Sequence, residues 1–421
     1  MKKFINDFSA NFIGAFIGLF IVEHFILPLI LNSPKNNLFI PDWALCLLCA
    51  LVWGVFSAIK GRNEKEQDKV KSKNNRSRHY SEVDIIKGVA ILLVILVHSG
   101  GVKYINMEQY SWYTNFVEYL RTFDMPLFFM VSGFLFANSG KKPFFRVMKG
   151  KFDRLVVPYF VMSFITLAVR ILTPALFHRA TADFEDALIK IFFYGYWYWF
   201  IYTLFVLYVV FTLIRPILSV RVACVLIVIL IIIKESWQTY LNLPPTPHIG
   251  FLKLHQASYF GAFFLMGYVM YPYYEKIKNW LSNYYVITLF LALYAIGCYY
   301  CITYHQVSFL FNWALPIVIS LGIWGICIHL VKPKIPNESL SYFGKYSLQV
   351  YLFNGTTLGI SRELLVRVFH VYQPVLLFIL MFIVTTIISV VFIEILRRIP
   401  TVRYFFGFGR ESSFLNKGDK K

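Results

Sequence analysis

A lysine and a histidine stand eleven residues apart in an otherwise apolar stretch, where Gly88 and aliphatic residues separate Lys87 from His98. On a helix at about 100° per residue, this spacing returns both side chains to within about 20° of one face. They lie about 16 Å apart along the axis, and Asp84 is close in phase. Polar groups inside a membrane usually face a cavity or a functional site. The spacing therefore predicts a polar stripe that crosses the membrane.

Two simpler interpretations of this stripe remain open. Lys87 could be an interfacial anchor whose ammonium group snorkels to the membrane surface. His98 could be satisfied by hydrogen bonds between helices, without any chemical role.

Charged residues in the next apolar segment are candidate partners for His98. Glu118, Arg121 and Asp124 are spaced three apart, which on a continuous helix places them in one sector. A carboxylate beside the imidazole would hold one tautomer and raise its basicity, as a general base that deprotonates a hydroxyl requires. The candidate catalytic residues are therefore His98 and the acids Asp84, Glu118 and Asp124. The alternative is a structural ion pair between Arg121 and either neighbouring acid.

A dense basic segment follows between residues 141 and 158, with six basic residues against one acid. Lys and Arg bind phosphate through charge-assisted hydrogen bonds, so Arg146, Lys151 and Arg154 are, with Lys87, candidates to bind the phosphates of a nucleotide cofactor. The positive charge typical of cytoplasmic loops explains the same pattern without function. The sequence contains no Gly-rich phosphate loop, metal-ligand pattern or Gly-x-Ser-x-Gly motif, so ATPase and soluble-hydrolase functions lose support and no metal is expected.

Membrane-spanning helices must position these residues. Hydrophobic residues make up 58% of the chain and charged residues 15%, which leaves too little polar surface for soluble domains. The apolar stretches are about 18 to 25 residues long, enough to cross a hydrocarbon core as helices and too continuous for barrel strands. The sequence predicts an all-α polytopic integral membrane protein of about 12 transmembrane helices. These are placed at roughly 10–31, 43–60, 84–102, 116–138, 155–177, 192–214, 219–237, 256–274, 284–304, 309–331, 346–368 and 373–396.

The distribution of Lys and Arg along the sequence predicts the domain organisation and the membrane topology. The net charge is +19, but Lys and Arg lie between the apolar stretches, which is the positive-inside pattern and not the signature of nucleic-acid binding. Residues 1–60 form a two-helix N-terminal extension, residues 61–82 a basic cytoplasmic linker, residues 83–396 a core of about ten helices, and residues 397–421 a basic cytoplasmic tail. Both termini are predicted to be cytoplasmic.

Several short motifs follow one another between residues 80 and 396. They are Asp84-x-x-Lys87-Gly88 with His98, Met125-Pro126-Leu-Phe-Phe with Ser132-Gly133-Phe-Leu, Lys151-x-x-Arg154-Leu-x-x-Pro158-Tyr, Trp199-Phe-Ile-Tyr-Thr-Leu-Phe205 and Gly344-Lys-Tyr-Ser-Leu-Gln-Val-Tyr-Leu352. Their order resembles membrane acyltransferase family 3, particularly its fucose 4-O-acetylase-like branch. Lys87 stands where many members carry Arg, and Asp124 and Asn354 stand where related sequences often have His.

The resemblance implies a donor and an acceptor. Acetyl-CoA, or another acyl-CoA, would be the cytoplasmic donor, and a hydroxyl of a sugar in a glycan or lipid-linked precursor the acceptor. His98 becomes the leading catalytic residue, and Arg121, Trp199 and Asn354 are the candidate acceptor contacts. The location implied is a bacterial-type cytoplasmic membrane.

Two other functions stay open on the sequence. A translocator of polysaccharide or lipid-linked sugar would use a polar stripe equally well, and related sequences are associated with export operations. In a membrane receptor or assembly factor, the stripe would be only structural.

Overall fold

The structure is a computed structural model, and it describes residues 78–100, 107–140, 142–172, 184–239, 254–303 and 310–408. The described residues belong to two compact units. One contains Arg78–Tyr294 and residues 316–408, and the other contains the described residues between Ala295 and Leu315. The candidate site described below belongs to the first unit.

Every regular element of the described residues is helical, in agreement with the predicted fold class. The helices are α1 Ser81–His98, α2 Ser111–Arg121, α3 Asp124–Asn138, α4 Phe144–Lys151, α5 Val157–Leu172, α6 Phe184–Tyr194, α7 Trp199–Leu213, α8 Val220–Thr239, α9 Leu254–Met270, α10 Tyr274–Leu281, α11 Tyr284–Thr303, α12 Leu315–Leu330, α13 Lys334–Lys345, α14 Ser347–Glu363, α15 Pro374–Leu396 and α16 Pro400–Phe405. A π-helical turn, Phe152–Val156, joins α4 to α5.

Six helical segments of the described residues are long and apolar enough to cross a membrane, as expected of a membrane protein. The predicted count of twelve is not confirmed. Each predicted span beyond residue 77 overlaps one or more helices, but the predicted spans 84–102, 219–237, 256–274 and 346–368 are not among the six segments. The predicted spans 10–31 and 43–60 lie outside the described residues. The six segments are Ser111–Asn138, Phe144–Leu172, Phe184–Leu213, Tyr284–Cys301, Phe311–Leu330 and Pro374–Leu396.

A break divides the predicted span 116–138. Helix α2 ends at Arg121 and α3 begins at Asp124. Pro126 has no amide hydrogen to donate to the carbonyl of Thr122, so a continuous helix through this point would lose a hydrogen bond and meet a steric clash. The prediction that Glu118, Arg121 and Asp124 share one continuous helix is therefore wrong.

Reciprocal glycines bring α1 and α13 into backbone contact. A Cβ added at Gly88 would lie 2.0 Å from the carbonyl oxygen of Leu340, and one added at Gly344 would lie 1.8 Å from that of Asp84. Small residues let helix backbones approach closely, and this packing is a main source of helix association in lipid. The contact fixes the helix that carries Lys87 and His98.

A buried polar cluster anchors the start of α1. The Tyr274 hydroxyl donates to the Glu82 carboxylate over 2.8 Å, and the Lys278 ammonium group donates to the same oxygen over 2.5 Å. The indole nitrogen of Trp324 donates to Tyr274 over 3.2 Å. Glu82 is 4% exposed, and because its carboxylate accepts two hydrogen bonds, one of them from an ammonium group, its burial is compatible with a stable fold. Helix α1 is thereby tied to α10 and α12.

Candidate functional site

His98 is the last residue of α1, and its Nδ1 atom lies 2.8 Å from the carbonyl oxygen of Val94. A carbonyl oxygen can only accept, so Nδ1 carries the hydrogen and Nε2 keeps its lone pair. By surface area the residue is exposed as a whole, and Nε2 forms no hydrogen bond within the described part of the chain. A neutral imidazole with a free Nε2 has the form that a general base requires.

The Arg121 guanidinium is within electrostatic range of both His98 and Asp124, but it forms no ion pair with Glu118 or Asp124 within the described part of the chain. Glu118 is exposed on α2 and, among the described residues, shares no hydrogen bond with His98. The structure therefore brings His98, Arg121 and Asp124 to one region at the end of α1. The backbone of α1, rather than a carboxylate, orients the imidazole.

Asp124 is the buried acid of this region, with 4% of its surface exposed. Its Oδ1 atom accepts from the amide of Met125 over 2.6 Å. The unpaired first amides and the positive dipole end of α3 offset part of the cost of burying this carboxylate. Tyr259 of α9 and Tyr351 of α14 are both within range of this charge. Residues of α3, α9 and α14 are thus close enough to interact electrostatically.

A stack of aromatic rings places Trp199 at the start of α7. The ring of Trp199 lies parallel to that of Phe260 at 5.4 Å, and Phe260 lies parallel to Phe129 at 4.5 Å. Phe129 belongs to α3, five residues after Asp124. Trp199 is only half-buried, and aromatic rings with one accessible part suit contact with a mostly apolar sugar face.

Asn354 carries an unpaired acceptor in the interior. The residue is 6% exposed, and its Oδ1 atom has no hydrogen-bond partner among the described residues. A buried acceptor without a partner costs roughly 1–3 kcal/mol. A hydroxyl group of a bound molecule would remove that cost, so Asn354 fits its predicted role as an acceptor contact.

Lys234 of α8 is a buried charged residue near this region that was not among the predicted site residues. It is 6% exposed, its Nζ atom lies 5.7 Å from the centre of the Tyr259 ring, and it forms no ion pair with a carboxylate of the described residues. A lysine inside the apolar stretch 219–237 was a recognisable signal, because charged residues at such depth are costly. Tyr259 and Tyr351 carried no such signal, because tyrosine is common throughout this chain.

Asp84 and Lys87 form an ion pair at the opposite end of α1. The Lys87 Nζ atom lies 2.6 Å from Asp84 Oδ1, and His79 Nε2 lies 2.9 Å from Asp84 Oδ2. Fourteen residues separate Asp84 from His98, which is about 21 Å along a helix. Asp84 therefore positions Lys87 and does not reach His98.

The basic residues around α4 differ in what they contact. The Nζ atom of Lys151 lies 3.6 Å from the centre of the Tyr208 ring, a cation–π contact. Arg146 and Arg154 are exposed. No direct contact joins these three residues to Lys87 within the described part of the chain. The two arginines are the side chains most available to an anionic ligand.

Comparison with known proteins places this architecture in a family. Residues 80–394 match the model of a family described as an acyltransferase domain. Three Staphylococcus aureus proteins, from strains MSSA476, MW2 and N315, are named probable poly-β-1,6-N-acetyl-D-glucosamine export proteins. Each is 25% identical to this chain over 296 residues, which cover 65% of this chain and 81% of the relative. No solved structure matches the chain. Because the family model covers most of its length, the protein belongs to the acyltransferase family that its motifs resemble, membrane acyltransferase family 3.

Proposed function

We propose that the protein transfers an acetyl or other acyl group from cytoplasmic acyl-CoA to a hydroxyl of an extracytoplasmic or lipid-linked sugar, with His98 as the general base. The hydrogen bond from Nδ1 to the Val94 carbonyl is the observation that carries this proposal. In the neutral imidazole it leaves the lone pair on Nε2, which can accept a proton.

In the proposed reaction, Nε2 of His98 takes the proton of the sugar hydroxyl as the hydroxyl oxygen attacks the thioester carbonyl. The new carbon–oxygen bond forms, the carbon–sulfur bond breaks, and the CoA thiolate leaves and receives the proton from His98. The products are an acyl ester and free CoA. Arg121, whose charge already acts on His98, would stabilise the negative charge that develops on the carbonyl oxygen.

Lys87, Arg146, Lys151 and Arg154 are the proposed contacts of the CoA phosphates. The basic loops predict that this end of α1 is cytoplasmic. Lys87 and His98 are about 16 Å apart along the helix, so an extended pantetheine arm could deliver the acyl group while CoA stays inside. The exposure of Arg146 and Arg154 supports their part of this role.

Arg121, Trp199 and Asn354 are the proposed acceptor contacts. The half-buried indole of Trp199 could pack against a sugar ring, and the unpaired Oδ1 of Asn354 could accept from a sugar hydroxyl. Asp124 would act on Arg121 through its charge rather than orient His98, because the two groups interact electrostatically without a direct ion pair.

A translocator of polysaccharide or lipid-linked sugar is the second candidate. The observation in its favour is the name of the Staphylococcus aureus relatives, which are described as export proteins. In this function the His98 end would contact a passing sugar, and no thioester would be cleaved.

Free CoA release separates the two functions. The purified protein would be incubated with acetyl-CoA and a lipid-linked sugar extract, as wild type, His98→Ala and the control His370→Ala, whose histidine is exposed outside this site. Acceptor-dependent release that only His98→Ala abolishes would support acyl transfer. A folded wild-type protein that neither binds acetyl-CoA nor releases CoA would favour the translocator.

A further inference from the structure

The helical segment Phe144–Leu172 is longer than a membrane crossing. Its 29 residues extend over about 43 Å, whereas the hydrocarbon core is about 30 Å thick. Helix α4 forms the first two turns of this segment, and none of its residues is buried. A helical segment of this length projects beyond the hydrocarbon core, and the lysines of α4 make its end the one expected at the depth of the lipid headgroups.

An open cleft of about 430 Å³ lies between α4 and α7. Phe145 is 83% exposed and Phe152 is 49% exposed beside it. Exposure of such large apolar rings to water is unfavourable, so a hydrocarbon chain is the expected occupant of the cleft. Its lining is apolar except for one lysine and consists of Phe144, Phe145, Met148, Lys149, Phe152, Phe205 and Val209.

Two lysines beside this apolar cleft carry positive charge that no described carboxylate neutralises. Lys149 follows Phe145 by four residues, so the two side chains are neighbours on one face of α4. Lys142 is exposed just before the helix. Neither lysine forms an ion pair with a carboxylate of the described residues. Lys151 does not take part, because its ammonium group lies over the ring of Tyr208.

We propose that this cleft is a binding site for an anionic phospholipid. One acyl chain fills the space between α4 and α7, and the headgroup phosphate lies on Lys149, with Lys142 adding positive charge. An apolar cleft with a cationic mouth at headgroup depth matches both parts of such a lipid. The site is independent of the proposed acyl transfer, and Arg146 is not required for it.

Lipid retention from a defined mixture tests the headgroup contact. The full-length protein would be reconstituted in nanodiscs of equal dioleoylphosphatidylglycerol and dioleoylphosphatidylcholine, released into detergent and analysed by native mass spectrometry. The wild type should retain phosphatidylglycerol in preference. Lys142→Gln with Lys149→Gln should lower that retention about fivefold or more and leave phosphatidylcholine unchanged. The control pair, Lys332→Gln with Lys334→Gln, also removes two exposed lysines and should have no effect.

A second pair of variants tests the acyl-chain contact. Phe145→Ser should reduce retention of both lipids, because it removes apolar lining without disturbing a buried residue. The control Phe369→Ser changes a phenylalanine that is 63% exposed elsewhere and should not. Equal retention of the two lipids by the wild type, equal losses in the two lysine pairs, or an unchanged Phe145→Ser variant would each overturn the proposal.

Discussion

The imidazole of His98 is held by the carbonyl oxygen of Val94, one helical turn earlier, through a hydrogen bond of 2.8 Å. The tautomer at this position is therefore decided within α1. A carboxylate partner would have added a negative charge beside the imidazole, and the backbone carbonyl orients the ring without adding one. Asp124 lies instead at the start of α3, where the helix amides stabilise its charge.

A substitution that keeps this hydrogen bond should separate structure from catalysis. In His98→Asn, the amide nitrogen can donate to Val94 in place of Nδ1, but no basic nitrogen remains. We expect acyl transfer to fall by about 10²- to 10⁴-fold while the melting temperature stays near that of the wild type. Free CoA release and thermal unfolding measure the two effects. A variant with wild-type turnover would remove His98 from the role of general base.

The glycine contact between α1 and α13 should be intolerant of a methyl group. In Gly344→Ala, the added Cβ would meet the Asp84 carbonyl at 1.8 Å, so the helices must separate at a cost of about 1–3 kcal/mol. Gly355→Ala is the matched control in α14, because nothing lies within 4 Å of its added Cβ. That variant should be neutral or gain up to about 1 kcal/mol. Unfolding in mixed micelles measures both, and equal stabilities would contradict the close contact.

Buried hydroxyl groups join α14 to α15, and their coupling is measurable. Thr385 donates to Ser361 over 3.0 Å, and both side chains are fully buried. A double-mutant cycle of Ser361→Ala and Thr385→Val should give a coupling of about 0.6 kcal/mol, the average for such bonds in membranes. Thr386 bonds only to the carbonyl of Phe382 in its own helix, so Thr386→Val should show no coupling to Ser361→Ala. Coupling in both cycles would mean that the effect is not specific to this bond.

Lys234→Met should stabilise the protein. Lys234 is buried without an ion pair to a described carboxylate, and removal of its charge relieves a desolvation cost of about 1–3 kcal/mol. Lys332→Met, at an exposed lysine, should leave stability unchanged. Thermal unfolding of the ligand-free protein measures the difference. A lower melting temperature for Lys234→Met would show that the contact with Tyr259 contributes more than the burial of the charge costs.

Substitutions of Asp84 and of Lys87, which form an ion pair, should change the affinity for acyl-CoA in opposite directions. If Lys87 binds a phosphate of acyl-CoA, Lys87→Met weakens binding and Asp84→Asn strengthens it, because the competing carboxylate is removed. Each change should be fivefold or less, since partly exposed ion pairs contribute about 0.2–1 kcal/mol. Equilibrium binding of acetyl-CoA measures both variants. Changes in the same direction would mean that the pair acts only as a structural unit.

Features that depend on a single helix could be predicted from the amino-acid sequence. Apolar length identified a helical membrane protein, and the spacing of Lys87 and His98 was correctly assigned to one helix, Ser81–His98. Both inferences are local, because the rise and turn per residue are properties of any α-helix. The break before Asp124 was also a local signal, at Pro126, and could have been inferred.

Tertiary structure alone decided which residues of different helices meet. Asp124, Tyr259 and Tyr351 come from three helices, and Lys234 joins them from a fourth. The periodicity of the sequence could not show which helices contribute residues to this region. In a water-soluble protein the apolar face of a helix marks the side that packs, but lipid tails and a protein interior are equally apolar. The side of each helix that turns inward is set by close packing between helices, as at Gly88 and Gly344.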